Sequence, residues 1–402
     1  MNDSLASPAF PKILNVLVIG ANGYLGASIC RAFLRTCSPP TQSPSCFRVY
    51  GLVRRESAAH HLAMSEINPI VGSLSDRDVV HSAVLSHSRV WDIIVTCTEP
   101  SRDTEAEHWD ELLGLIQGLS KESASRGVRP FVLWSSGCKD YGMTGLHGDR
   151  NLTPHTEESP LQPHPIIRGR MNAALRVLEV AGAQGSGFDA TVVRATPVFG
   201  YSGSYYGAAF DYAAAFSGAY QGNKHGLKDQ TLDFKADAGT IMHGLHVDDC
   251  GEAYAVLAIT ALWGGPGLDG LEGGRQSVAG KVFNISGRRY ETLSEVGAAL
   301  AQEYGFGHGA RFGVSQKELP EAVSGHNCDL VFGWSQWVSS ERIRELTDWC
   351  DKRPLFSENT RIYRVAYEAA AEAGLDDVEK VRRRMAGNWE DDRKTVGYYR
   401  TT

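Results

Sequence analysis

Residues 13–35 read ILNVLVIGANGYLGASICRAFLR, and this stretch decides the fold. Its opening run, ILNVLVI, is apolar and rich in β-branched residues, as expected of a parallel strand that is buried on both faces. Gly20, Gly23 and Gly26 follow, and residues 27–35 carry apolar side chains at a spacing that suits a helix. The order of strand, glycine turn and helix is typical of the first unit of a parallel α/β sheet.

The rest of the N-terminal half repeats this alternation. Further strand-like runs, separated by stretches that could hold a helix, occur at residues 46–53, 69–71, 92–96, 131–134 and 191–194. A proline- and serine-rich stretch at residues 36–45 resembles a surface insertion. Right-handed crossovers between such strands build a doubly wound layer, whose ligands lie beyond the carboxyl ends of the strands. We therefore predict an α/β fold with a Rossmann-type, doubly wound parallel sheet and a smaller, mainly C-terminal substrate domain.

The composition excludes several classes of protein. A chain of 402 residues with 42% hydrophobic residues is long enough for two or three globular domains. Its 40 basic and 47 acidic residues give a net charge of -7, which does not favour nucleic acid or an anionic membrane as a partner. The eight cysteines form no CxxC pair and no zinc-like spacing, so we expect neither disulfides nor a metal site. Residues 1–12 lack a secretory pattern and no apolar run could span a bilayer, so we expect a cytoplasmic protein.

The glycine turn predicts a dinucleotide site. Backbone amides and the positive end of the helix dipole would face a diphosphate that needs close approach, and side chains at the glycines would obstruct it. We expect NADP, or alternatively NAD, to contact Gly20, Asn22, Gly23, Tyr24, Leu25 and Gly26. The alternative is a purely structural turn, because glycines also serve packing.

The end of the second strand favours NADP over NAD. NAD-binding folds place a carboxylate there to accept a hydrogen bond from the ribose 2′-hydroxyl. This chain has Arg54 and Arg55 instead, and guanidinium groups suit a 2′-phosphate. The alternative is that these arginines only solvate a loop, since the nearby insertion leaves the register open.

Several segments, taken in order, resemble the extended short-chain dehydrogenase/reductase family in its NAD-dependent epimerase/dehydratase branch. They are GANGYLG (20–26), WSS (134–136) with YG (141–142), VRATPVFG (193–200), HVDD (246–249) and VFNI (282–285). The resemblance covers about residues 14–304 and implies a carbonyl or alcohol substrate held between the two domains. We expect residues 12–200 to form the NAD(P)-binding Rossmann domain, which returns at about 240–287. Residues 201–239 and 288–402 would form the substrate-binding and C-terminal helical region.

The sequence departs from the family at the catalytic residues. The family uses a Tyr-x-x-x-Lys pair on a helix together with a Ser or Thr after an earlier strand. Here Arg168 and Asn172 stand at the positions of the pair, and Gly137 stands at the Ser or Thr position, with Ser136 beside it. Arg168 cannot titrate, but its guanidinium could polarise a carbonyl or hold a phosphate. We predict catalytic roles for Arg168 and Ser136.

Other residues are candidates for the proton transfer. His164 lies between two prolines and has a reference pKa near 6.5, so it could exchange protons at neutral pH, but a surface histidine is the favoured interpretation. Tyr141 matches a tyrosine that the family usually uses structurally. Cys138, Lys139 and Asp140 are further candidates, and a solvated turn is the alternative for Lys139 and Asp140.

An aromatic cluster and an acidic pair complete the candidate features. The cluster would suit a flat or apolar ligand, or it could simply pack the domains together; its members are Tyr201, Tyr205, Tyr206, Phe210 and Tyr212. Asp248 and Asp249 precede an apolar helical stretch, where helix capping is the expected role.

These observations together predict an enzyme. We expect an NAD(P)-dependent oxidoreductase or epimerase-like enzyme with non-standard catalytic residues. Its substrate would be a small carbonyl or alcohol, and an aromatic compound or a specialised metabolite is one option. Two alternatives stay open, because fold does not dictate chemistry. One is a non-redox isomerase, cyclase or lyase on the same scaffold, and the other is a non-catalytic NADP-binding sensor. A homodimer also stays open.

Overall fold

The computed structural model describes residues 12–37, 45–99, 105–220, 226–264, 270–323 and 329–386. Most of the expected insertion at 36–45, and residues 1–11, lie outside the described residues. The strands are β1 (Lys12–Ile19), β2 (Ser45–Val53), β3 (Asn68–Val71), β4 (Ile93–Thr96), β5 (Phe131–Gly137), β6 (Asp189–Ala195), β7 (Val198–Phe199), β8 (Leu232–Phe234), β9 (Ile241–Met242), β10 (Leu245–His246), β11 (Val282–Ile285), β12 (Glu291–Thr292) and β13 (Ala310–Phe312).

Helices follow most of the strands. They are α1 (Tyr24–Leu34), α2 (Glu56–Met64), α3 (Arg77–His87), α4 (Glu105–Ser125), α5 (Arg168–Gly182), α6 (Gly207–Gly218), α7 (Val247–Trp263), α8 (Gly270–Val278), α9 (Leu293–Tyr304), α10 (Asp329–Phe332), α11 (Glu341–Thr347), α12 (Thr360–Glu372) and α13 (Asp376–Ala386). Short 3-10 turns, among them Cys138–Tyr141 and Pro165–Ile167, also occur. No helix among the described residues is both long and apolar enough to cross a membrane.

The central sheet has seven parallel strands in the order β11-β6-β5-β4-β1-β2-β3. This confirms the doubly wound α/β prediction. The strand order reverses beside β1, where Ile19 is in register with Leu52 of β2 and with Thr96 of β4. The loops that follow these three strands therefore meet at one edge, which is where such folds bind their ligands.

Two apolar layers cover the two faces of the sheet. On one face α1 and α7 pack together, with Ile29, Phe33 and Leu257 fully buried. On the other face α3, α4 and α5 bury side chains such as Ile116 and Val177. Strands buried on both sides explain why ILNVLVI is a nearly continuous apolar run instead of an alternating one.

A third apolar cluster lies beyond the sheet and is largely aromatic. It joins α6 and α9 to the C-terminal helices α12 and α13, and Phe216, Phe234, Phe356 and Tyr367 are buried within it. Residues from 199–242 and from 293–378 both contribute to the cluster. The two segments that we expected to form the substrate region thus share one core, while the domain boundaries themselves stay a prediction.

Candidate functional site

The loop after β1 requires glycine at its turning points. Gly20 has a φ of +91°, a conformation that side-chain-bearing residues rarely adopt. A Cβ atom at Gly26 would lie 2.2 Å from the Gly20 carbonyl oxygen and 2.9 Å from the Cys97 sulfur. The start of α1 is therefore pressed against the ends of β1 and β4, and this close packing brings the helix terminus to the edge of the sheet.

The N-terminus of α1 is open to an anion. Gly23 is its N-cap residue and supplies no side-chain hydrogen bond, and the first turn contains no acidic residue. The amides of a first turn have no partner within their own helix, and the helix dipole adds positive potential there. Asn22 is exposed at this loop and Leu25 is half-buried. The cradle fits the diphosphate of a dinucleotide, because the first-turn amides have no side-chain cap and no acidic residue beside them.

Tyr24, the first residue of α1, joins this loop to the loop after β7. Its hydroxyl donates a hydrogen bond to the carbonyl oxygen of Gly200. Burial, followed by the carboxylates of Asp377 and Asp248, raises the pKa of Tyr24 well above its usual value. Tyr24 therefore stays a neutral donor that holds the two loops together.

Arg54 and Arg55 are exposed where β2 ends, and Arg55 is the N-cap residue of α2. Across the edge, the ring of His108 on α4 lies 2.9 Å from the Thr98 hydroxyl, measured from Nε2 to Oγ1. Burial, and then the positive charge of Arg54, lowers the pKa of His108. The end of β2 is thus a positively charged corner beside the glycine loop.

A buried carboxylate organises the end of β5. Asp140 is fully buried in the 3-10 turn that follows the strand. Its Oδ2 accepts from Ser136 Oγ at 2.5 Å and from Arg194 Nε at 3.3 Å, and its Oδ1 accepts from Arg170 Nη2 at 2.9 Å. A Cβ atom at Gly137 would lie 2.9 Å from that same Arg170 nitrogen. Glycine at this position therefore makes room for the Arg170 guanidinium.

Lys139 lies in the same turn and is half-buried. Its amine is 4.7 Å from the centre of the Trp334 ring. Burial, and then the neighbouring Arg170 guanidinium, lowers the pKa of Lys139 from 10.5 to about 8. At neutral pH this side chain can therefore exchange a proton much more readily than an ordinary lysine.

No group of three histidine, cysteine or acidic side chains suited to a metal ion occurs in the part of the chain that the structure describes. Comparison with known proteins identifies the scaffold. The sequence pattern of the NAD dependent epimerase/dehydratase family matches residues 16–261. The chain belongs to this family. The protein is accordingly an NAD(P)-dependent enzyme, and its cofactor is a nicotinamide dinucleotide.

Solved structures of epimerases and dehydratases share the fold. A UDP-Glc/GlcNAc 4-epimerase from Campylobacter jejuni has a TM-score of 0.60 at 20% identity, over 89% of this chain and 99% of that one. A dTDP-glucose 4,6-dehydratase from Bacillus anthracis in complex with NAD has 0.59 at 18%, over 89% and 98%. RMD from Pseudomonas aeruginosa complexed with NADPH has 0.58 at 16%, over 89% and 99%. A comparison with curated protein sequences finds no match.

The residues of α5 that stand at the family's catalytic positions differ from the residue of α5 that contacts Asp140. Arg168 and Asn172, which stand where the family has Tyr and Lys, are both exposed. Arg170 is the residue of this helix that reaches the end of β5. Arg170, which was not among the predicted site residues, is therefore the arginine of α5 that contacts the buried carboxylate. A catalytic role for Arg168 stays a prediction.

The other predicted catalytic residues have well-defined surroundings. The favoured interpretation of His164 as a surface histidine is wrong, because the residue is only 3% exposed and its Nδ1 accepts from the amide of Ile166. The Tyr141 hydroxyl donates to Asn284 Oδ1 at 2.8 Å and accepts from Arg194 at 2.9 Å, and burial raises its pKa. Ser136 remains near the edge of the sheet and donates to Asp140. A solvated turn is likewise wrong for Asp140.

The aromatic cluster divides into two parts. Tyr206, Phe210 and Tyr212 are buried in the core, so packing explains them. Tyr201 and Tyr205 keep 46% and 38% of their surface exposed. Tyr201, Tyr206 and Phe210 line a small cavity beside the loop after β7, so the buried rings also form part of its wall.

The acidic pair at the start of α7 does not cap the helix in the expected way. The N-cap residue is His246, whose ring accepts from the amide of Asp248 at 3.2 Å. Asp248 instead pairs with Arg31 and Arg353 and accepts a hydrogen bond from Tyr201. Asp248 therefore connects α1 to the loop after β7, beside the loop of residues 20–26, which we name the nucleotide loop.

Proposed function

We propose that this protein is an NAD(P)-dependent oxidoreductase or epimerase for a small carbonyl or alcohol substrate, and that Lys139 transfers the proton. One observation carries the proposal: the Lys139 amine lies against Trp334 at the carboxyl end of β5, beside the always-charged Arg170. The family's tyrosine and lysine are replaced by exposed residues, so another titrating group is needed. Lys139 meets this need with its pKa of about 8.

The nucleotide loop supplies the cofactor site in this proposal. Its amides and the α1 dipole would hold the diphosphate over a loop made of Gly20, Asn22, Gly23, Tyr24, Leu25 and Gly26. Arg54 and Arg55 would pair with a 2′-phosphate, which favours NADP over NAD. When bound, the nicotinamide ring supplies or takes up the hydride.

Arg170 and Lys139 would have different roles at the substrate oxygen: Arg170 would stabilise its charge and Lys139 would transfer its proton. The guanidinium of Arg170 stays protonated and is held by Asp140, so it can donate a hydrogen bond to a carbonyl oxygen and stabilise the negative charge that develops there. In the reducing direction the Lys139 ammonium then donates the proton. In the oxidising direction its neutral amine accepts a proton from the alcohol. Ser136 helps to orient Asp140, and Arg168, at the exposed start of α5, is available for a phosphate or ribose.

The substrate side of the proposal rests on Tyr201 and Tyr205. Both rings are partly exposed on the loop after β7, and the Tyr205 hydroxyl interacts electrostatically with Arg170. A flat or ring-shaped metabolite could stack on these rings while its oxygen faces Arg170 and Lys139. This supports a small cyclic or aromatic carbonyl or alcohol of specialised metabolism as the substrate.

A panel of cyclic and aromatic ketones and alcohols with NADPH and NADH tests the proposal. Turnover is followed by absorbance of the nicotinamide and, for epimerisation without net cofactor change, by mass spectrometry and chromatography of isomers. Lys139→Met should reduce turnover by about 10²- to 10⁴-fold, the usual contribution of general acid–base catalysis. Lys121→Met, at an exposed position on α4, is the matched control and should not change it.

Three results would reject parts of this proposal. Unchanged turnover in Lys139→Met would remove Lys139 from the reaction. Product formation by protein free of nucleotide would favour a non-redox isomerase, cyclase or lyase. Cofactor binding without turnover of any substrate would favour a sensor.

A further inference from the structure

The C-terminal region forms one wall of the candidate site. Trp334 is 5% exposed, and its ring faces the amine of Lys139. The ring of His164 lies edge-on to the same indole, with 6.3 Å between the ring centres. Trp334 is therefore packed between the turn after β5 and the segment that leads into α5.

Residues 334–338, which we name the clasp segment, also grip the backbone around Lys139. Gln336 Nε2 donates to the carbonyl oxygens of Cys138 and Gly142, both at 2.7 Å. These two carbonyls lie on either side of Lys139 along the chain. The Ser335 carbonyl oxygen accepts from the amide of Thr144 at 2.9 Å. The clasp segment thus holds the backbone of the turn as well as its lysine side chain.

The charged state of Lys139 depends on opposing contacts. Burial and the guanidinium of Arg170 disfavour the ammonium form. The carboxylate of Asp140, in the same turn, is already bonded to Ser136, Arg170 and Arg194, and the ring of His164 lies edge-on to the indole. The π face of Trp334 is a contact that attracts the ammonium form, because the ring face carries partial negative charge.

We propose that Trp334 is a positioning residue for Lys139, and that its indole face holds the ammonium group at the carboxyl end of β5. The C-terminal region then controls where the proton-transferring group lies and how readily it is charged. The proposal adds Trp334 and the clasp segment to the machinery, and its catalytic consequence rests on the proposed function of Lys139.

Two variants of the full-length protein separate the ring's electrostatic effect from its bulk. Trp334→Phe and Trp334→Leu both replace the indole with a smaller apolar side chain, but only phenylalanine keeps a π face. The rate of Lys139 acetylation by acetic anhydride is measured against pH by mass spectrometry, with exposed Lys121 as the internal control. We expect the Lys139 midpoint to be lower in the Leu variant than in the Phe variant by about 0.4 to 1.5 pH units, while Lys121 does not shift.

Equal Lys139 midpoints in the two variants, or a higher midpoint in the Leu variant, would overturn the role of Trp334. If Trp334→Leu does not fold, the Phe variant is compared with the wild type, and the midpoint must still fall, because benzene is a weaker cation acceptor than indole. Turnover gives the second readout. Trp334→Leu should lower kcat more than it raises KM and should leave NADPH affinity unchanged. A loss of activity in Lys139→Met tests the proposed function separately, because the acetylation midpoints require no substrate.

Discussion

The Asp140 carboxylate and the Arg170 guanidinium form an ion pair, with 2.9 Å between Oδ1 and Nη2, in the space that Gly137 leaves beside the end of β5. Arg194 approaches the same carboxylate from β6. This fully buried carboxylate therefore joins the turn after β5 to α5 and to β6 by ion pairs. The positions of Arg170 and of the turn that carries Lys139 therefore depend on one acidic residue.

Removing that charge should destabilise the protein strongly. Asp140→Asn keeps the size of the side chain but leaves Arg170 and Arg194 without their counterion. Breaking a buried ion pair in this way costs about 3–5 kcal/mol of unfolding free energy, measured by urea denaturation. The control is Asp110→Asn, which breaks an ion pair with Arg176 in which both side chains are more than half exposed, and it should cost about 0–1 kcal/mol. Equal costs for the two variants would show that the Asp140 cluster is not a stabilising centre.

The packing of the nucleotide loop predicts the effect of a single methyl group. In Gly26→Ala the new Cβ atom would overlap the Gly20 carbonyl oxygen, so the loop must move. Overpacking of this kind costs about 1–3 kcal/mol. If NADPH binding is weakened by the same free energy, the NADPH dissociation constant rises by about 5- to 150-fold. In Gly182→Ala, at the end of α5, the added atom meets nothing within 4 Å. Calorimetric titration should find unchanged NADPH affinity there, and a tight-binding Gly26→Ala would contradict the assignment of the loop.

Arg54 should distinguish the two nicotinamide cofactors. A charge-assisted hydrogen bond contributes about 1.5–3 kcal/mol, so Arg54→Ala should weaken NADPH by about 10- to 100-fold and leave NADH nearly unchanged. Arg48→Ala, at an exposed arginine within β2, is the matched control. An equal loss of affinity for both cofactors in Arg54→Ala would reject contact with the 2′-phosphate.

His243 should make folding sensitive to acid. Its Nε2 donates to the Gly287 carbonyl oxygen at 2.9 Å and its Nδ1 accepts from the amide of Val338 at 3.2 Å, so the ring must be neutral. Burial lowers its pKa from 6.5 to about 4. Between these values the unfolded chain binds the proton and the folded chain does not. Stability is therefore fully present above pH 6.5 and falls as the pH decreases towards 4.

The measurement is the free energy of unfolding as a function of pH. Over this window His243 should account for a loss of roughly 3 kcal/mol, at about 1.4 kcal/mol per pKa unit. In His243→Gln the decline between pH 6.5 and 4 should become shallower by this amount, even though the variant starts less stable. His61→Gln, at an exposed position on α2, should keep the slope of the wild type. An unchanged slope in His243→Gln would contradict the pKa shift.

The repeating part of the fold was predictable because its signals are local. Apolar runs and the glycine turn mark six of the central strands, each found within a few residues of its expected place. The pattern does not predict β11 as a strand, because VFNI is short and its flanks resemble neighbouring helical stretches. Local signals also mark the ends of α9, where a capping box at Thr292 and Glu295 precedes the helix and a glycine at position 305 follows it.

The site was predictable only in part. The nucleotide loop is contiguous in sequence, but Lys139, Arg170 and Trp334 come together only through tertiary structure. The family motif indicates Arg168 as the site residue on this helix. Helical spacing indicates Arg170 instead, because it lies three and four residues before Ala173 and Ala174, which face the core. No local pattern indicates that the clasp segment reaches the turn after β5.

The central claim is that the nucleotide loop and Lys139 serve one active site, and footprinting of lysine reactivity tests it without knowledge of the substrate. Lys139 and exposed Lys121 are acetylated at pH 8 in the presence and absence of saturating NADPH, and the labelling rates are compared by mass spectrometry. We predict that NADPH slows the labelling of Lys139 several-fold and leaves Lys121 unchanged. Equal labelling of Lys139 with and without bound NADPH would contradict the account.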